Sequence, residues 1–188
     1  MSPFTYDDGA YRATWTEYEI IAFAAMIRAT IAVIQNAATS DKVRQKLLPP
    51  SSKDDAVALE FSRLAGTQIE DAKLQNLEQF GLTLVQNLSE SSDGGLTEVV
   101  IPENEVKVAL QALTAVRVYL GAKLEIETDE DSEILFNLLQ LAADNLEESD
   151  NSLAESNLAR EQQMFLASIF FASGFVQESL LEALTSGR

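Results

Sequence analysis

The chain contains no cysteine and no histidine among its 188 residues. The first absence removes disulfide frameworks, thiolate nucleophiles and zinc sites built on cysteine. The second removes Ser-His-Asp relays and imidazole metal ligands. Glycine and proline are scarce, at 8 and 4 residues. The double-glycine loop, SSDGGLTE, lacks the lysine of a phosphate-cradling motif. Bases are short too: 13 Lys and Arg face 30 Asp and Glu, giving a net charge of −17. Such a surface repels phosphate backbones, so nucleic acid is not an expected partner. Long apolar runs are also missing. Residues 20–34 are interrupted by Arg28, and the apolar segment MFLASIFFASGFV, residues 164–176, is only thirteen positions long. Both fall short of the roughly 20 residues that a membrane span needs, so no membrane association is expected. The opening MSPFTYDDGAYR has neither a basic stretch nor an apolar one, hence no signal peptide, and a cytoplasmic location is expected.

What the chain does have is apolar content, at 46 %. That is enough for one packed domain over residues 1–188. The charge is uneven. Residues 1–94 hold 13 acids and 8 bases, net −5, while residues 95–188 hold 17 acids and 5 bases, net −12. The one basic cluster, Lys42, Arg44, Lys46 and Lys53, reads as a solvated helix face.

Asp7-Asp8-Gly9-Ala10 between two aromatic-containing runs predicts a hairpin. Thr16-x-x-Glu19 is a capping box that opens a helix reaching about Ala38, with Ile20, Phe23, Ala24, Ile27, Ile31 and Ile34 as its buried stripe. A short helix over Asp41–Leu48 ends at Pro49-Pro50. Ser52 to Asp55 starts another, Gly66-Thr67 breaks it, and a long helix continues to about Leu88 with Ile69, Leu74, Leu77, Phe80, Leu84 and Leu88 inward. Leu96 to Ile101 reads as a strand pairing with the hairpin. Pro102 then starts a helix that Gly121 terminates, and Thr128-x-x-Asp131 caps the next, made apolar by Ile134, Leu135, Leu138, Leu139 and Leu141. The final helix, from about Glu155 to Leu184, is apolar nearly all round. It should be the core helix or be shared with a partner chain, so a homodimer through this C-terminal helix is expected. The fold class is therefore mainly α: about six helices with a small antiparallel sheet.

The order of these pieces resembles an actinobacterial family grouped as domain of unknown function two thousand and seventeen. The matching stretches are GAYRATWTEYEIIAFAAMI, KLLPP with ALEFSRLAGTQIEDAK, GGLTEVVIPENEVKVALQALTAVRVYLGAKLEI, and the C-terminal VQESLLEAL. They cover roughly three quarters of the chain. The acidic stretch at about 127–156 has no counterpart in the resemblance and reads as an insertion or extension. Family members usually carry Asn-Asp before the arginine of the third stretch, where this chain has Thr114 and Ala115. If that acid served chemistry, this chain has lost it. The resemblance implies no activity. It implies a gene neighbourhood beside the ClpS adaptor, and a label as transcriptional regulator attaches to some members.

Chemistry rests on few residues. Arg117 stands between Val116 and Val118 with no acid in the four preceding positions. Buried charges need partners, so Arg117 is expected to pair with Glu70 or Asp71 across the core edge; otherwise it grips a carboxylate or phosphate ligand bidentately. Arg28 poses the same question on the first helix. The run ETDEDSE, residues 127–133, has no central glycine and no acid at the twelfth position, so it is no calcium loop. No metal and no cofactor are expected. The leading reading is a non-enzymatic interaction or regulatory protein with a protein partner, linked through the family resemblance to Clp-dependent proteolysis. It should expose an apolar patch near the C-terminal helix. The alternatives are a small-molecule-binding or enzymatic domain using Arg117 and nearby acids, and a transcriptional regulator.

Overall fold

The computed structural model describes residues 1–49, 66–90, 95–144 and 154–186. The hairpin forms as expected from strands β1 (Thr5–Asp7) and β2 (Ala10–Thr16). Asp8 and Gly9 both take positive φ, 46° and 75°, the mirror-image turn whose twist suits a two-residue hairpin loop. Strand β3 (Leu96–Pro102) pairs antiparallel with β2, so the sheet order is β1-β2-β3. Alternation sets the faces: Tyr11, Ala13 and Trp15 of β2 and Thr97, Val99 and Ile101 of β3 point inward. Trp15 is fully buried, 5.9 Å from the Phe4 ring and 5.1 Å from Phe23.

Helix α1 (Glu17–Asn36) starts at the capping box. Thr16 Oγ1 accepts from the Glu19 amide at 3.2 Å, and Glu19 accepts from the Thr16 amide at 2.7 Å. The other Glu19 oxygen holds the Met1 amino group at 2.7 Å. Asp41 caps the short α2 (Lys42–Leu47). The helix expected from Ser52 lies outside the described residues, as does Lys53. Helix α3 (Thr67–Glu90) begins at the expected break and turns Leu77, Phe80 and Leu84 inward. Ile69 is exposed rather than inward.

The outer edge of β3 is covered by an α3 side chain. Asn87 Oδ1 accepts the Val100 N–H at 3.1 Å, and its Nδ2 donates to the Val100 carbonyl at 3.2 Å. An amide thus imitates a neighbouring strand and satisfies backbone groups that would otherwise be open at a sheet edge.

Two boundaries differ from expectation. Pro102 closes β3, and a single 3-10 turn at Glu103–Glu105 precedes helix α4 (Val106–Lys123). Gly121 does not end that helix; the left-handed residue is Glu125, with φ 58°. Helices α5 (Asp129–Asp144) and α6 (Ala154–Ser186) complete the described fold. The described part of the acidic stretch thus includes α5 and the start of α6. Thr128 and Asp131 cap α5, with the Thr128 amide reaching Asp131 at 2.8 Å.

The core helix is α4, not the last one. Val106, Ala109, Ala112, Leu113, Ala115, Val116, Tyr119 and Leu120 are all buried, and α4 packs against α1, α2, α3, α6 and the sheet. Helix α6 lays Ala167, Ile169, Ser173, Val176, Leu180 and Ala183 inward and leaves Phe175, Glu178, Leu181 and Glu182 exposed on the other side. Among the described side chains of α5 only Leu135 is buried; Ile134, Leu138 and Leu141 are about half exposed.

Candidate functional site

Arg117 leaves α4 toward α6. Its Nη1 donates to Gln177 Oε1 at 3.1 Å. The Gln177 amide donates in turn to Thr114 Oγ1 at 3.0 Å, and that hydroxyl donates to the Leu110 carbonyl at 2.8 Å. Thr114 lies one turn before Arg117 on the same face, so it fixes which end of Gln177 meets the guanidinium. The Phe170 ring lies 5.6 Å from the guanidinium carbon, close enough for cation–π attraction. Arg117 Nε is buried without a partner.

This corrects the expected pairing. Neither Glu70 nor Asp71 reaches Arg117. Its partners among the described residues are a neutral amide and an aromatic face. Position explains this: Glu70 sits in the first turn of α3, where it meets Arg44 of α2. Glu70 pairs with Arg44 at 3.0 Å, and Arg44 Nε also donates to the Ile34 carbonyl near the end of α1 at 3.0 Å. A guanidinium at a helix C-terminus satisfies an orphan carbonyl and offsets the dipole there. Arg44 is therefore a half-buried staple of α1, α2 and α3, not part of a solvated face. Lys73 completes the junction by donating to the Leu47 carbonyl, and burial pulls its pKa below the usual lysine value. Asp71 is exposed, and Arg28 is exposed on α1. Among the described residues, no group of three or more Asp and Glu is placed to hold a metal ion.

Two apolar surfaces dominate the exterior. The first joins α1, α5 and α6. Phe136, Phe165, Phe171 and Phe175 surround an open cavity of about 680 Å³, with Tyr18 and Ile169 at its sides. Phe136 stacks edge-on to Phe171 at 5.3 Å. Tyr18 is 68 % exposed, Phe136 46 % and Phe175 42 %. The rim is acidic: Glu178 borders this cavity, and Asp129 and Glu133 border the adjoining one around Phe136 and Phe171. Helix α6 is strongly apolar over Ala159–Ser186, yet only a third of its most apolar stretch is buried. By length and composition alone this helix could cross a membrane; its longest uncharged run, residues 162–177, is sixteen positions. A helix buried on one side against its own domain meets the same criterion.

The second surface is a groove of about 560 Å³ between α1 and α3. Its floor is where Gly81 lets the helices approach: a Cβ there would meet Ile27 Cγ2 at 3.4 Å. Sequence reasoning missed it because Ile21, Leu82 and Val85 fall outside each helix's core stripe. The signal was present as a second apolar stripe on α1.

Comparison with known proteins places the chain by family. No curated protein matches it, and no solved structure does. A family model covers residues 1–184, nearly the whole length. The chain belongs to that family, described as a domain of unknown function (DUF2017).

Proposed function

We propose that this chain is a non-enzymatic interaction protein of the cytoplasm and that it binds another protein through the aromatic face of α5 and α6. The observation that carries this is the exposed aromatic side of α5 and α6. Phe136 and Phe175 are 46 % and 42 % exposed beside the partly buried Phe165 and Phe171, an apolar surface that a partner would cover. Aromatic residues in a concave setting with a charged rim have the make-up of a binding hot spot. The rim sets the chemistry of the occupant. Asp129, Glu133 and Glu178 favour a partner presenting bases around an apolar ridge. A second copy would bring the same acids against themselves, so the occupant is a different chain. The lack of histidine and cysteine supports a binding role over imidazole or thiol catalysis. The family resemblance supplies the first setting to test, Clp-dependent proteolysis.

The test compares the wild-type chain with Phe175→Asp, which places a charge on the exposed face without entering the core. A photo-crosslinking residue at Ser168, exposed on the same face, identifies what docks there. Loss of the crosslinked partner in Phe175→Asp is expected. Undiminished capture by Phe175→Asp, or no crosslink from position 168, overturns the reading. The Clp adaptor and protease subunits are the first partners to look for.

A further inference from the structure

We propose that the groove between α1 and α3 seats a second copy of this chain, closed by reciprocal ion pairs between Arg28 of one protomer and Glu78 of the other. This stands apart from the α5–α6 face and uses none of its residues.

Each groove wall carries an apolar stripe with one charge in it. On α1 the positions are Ile21, Ala24, Arg28 and Ile31; on α3 they are Glu78, Leu82, Val85 and Leu88. Steps of three and four keep each set on one helix face, the spacing by which helices interdigitate across an interface. The stripes are apolar and uncovered: Ile21 is 52 % exposed, Leu82 62 % and Val85 52 %. Arg28 and Glu78 are both exposed, and neither forms an ion pair with a described residue.

Charge selects the occupant. The chain as a whole carries −17, so two copies repel over most of their surface. The groove lining holds one base and one acid, a net of zero. A two-fold interface is self-complementary, so whatever residue i meets on its partner, the partner's residue i meets here. A patch holding one Arg on one helix and one Glu on the other satisfies that rule twice per dimer. Three acids around the α5–α6 face violate it. Of the two apolar surfaces, the groove is the one whose lining charges balance, so it meets its own copy with least like-charge repulsion.

Sedimentation of the full chain tests this. A dimer of the 20.6 kDa chain is expected. Arg28→Glu and Glu78→Arg, each alone, should raise the dimer dissociation constant about tenfold or more, by turning each attraction into a repulsion. The double variant Arg28→Glu/Glu78→Arg should recover dimerisation, because the exchanged charges rebuild both pairs. Far-UV circular dichroism checks that these surface variants remain folded. A wild-type chain that stays monomeric at about 100 µM overturns the proposal, and a groove serving another protein's helix would give that result. A dimer that resists both single reversals but is broken by Phe175→Asp also overturns it. Failure of the double variant to recover removes the Arg28–Glu78 pairing.

Discussion

Replacing Arg117 by methionine separates the two roles that an isolated core-edge arginine can have. The guanidinium makes one hydrogen bond to a neutral partner, Gln177, and lies 5.6 Å from the Phe170 centroid. Losing a hydrogen bond from a charged donor costs about 1.5–3 kcal/mol, and the cation–π contact adds about 0.5–1 kcal/mol where solvent reaches it. Against this, the variant removes the buried, unpartnered Nε, worth about 1–3 kcal/mol. Methionine keeps most of the apolar stem. The balance is a net loss of about 1 kcal/mol, a fall in Tm of about 2–4 °C for a domain of this size. Urea titration of the wild type and Arg117→Met measures it directly. If the arginine were held by an acid, the variant would strand a buried carboxylate and lose about 3–5 kcal/mol. A loss in that range refutes the neutral-partner geometry. The companion variant Gln177→Glu supplies the missing acid; it should raise stability by up to about 1 kcal/mol, less the lost Thr114 contact.

Two further outcomes follow from the core and from the helix cap. Phe80→Ala removes a ring that is 2 % exposed and should cost about 3–5 kcal/mol, lowering Tm by about 10 °C in a thermal melt. Burial pushes the Glu19 carboxyl up, but hydrogen bonds from the Met1 amino group and from Thr16 outweigh it and hold the carboxyl below its usual range. The folded state then holds this proton less tightly than the unfolded chain, so the contribution is present above the usual carboxylate range and lost as pH falls through the lower folded value. Urea midpoints taken from about pH 5 downward should fall more steeply for the wild type than for Glu19→Gln. Equal slopes would show that Glu19 contributes nothing to acid sensitivity.

Local chemistry explains what could be read from the sequence. Asp8-Gly9 placed the hairpin turn, Thr16-x-x-Glu19 the start of α1, and Thr128-x-x-Asp131 the cap of α5, because each needs only residues within four positions of one another. The β3 pairing was legible because a β-rich heptapeptide has few places to go in a mainly helical chain. Gly121 was misread as a helix end because local sequence cannot distinguish a terminating glycine from one facing a neighbour. Here it faces Phe170, which a Cβ would meet at 3.7 Å.

The sequence by itself determined the fold class, the family, the caps and the absence of histidine and thiol chemistry, all of which depend on composition and short spacings. Only the tertiary structure decided the partners. Whether Glu70 meets Arg117 or Arg44 depends on which helices become neighbours. The covalent chain does not fix that at a separation of tens of residues. The same holds for the two apolar surfaces. Periodicity showed that α6 was apolar nearly all round, but only packing settled which side the core used and which it left exposed.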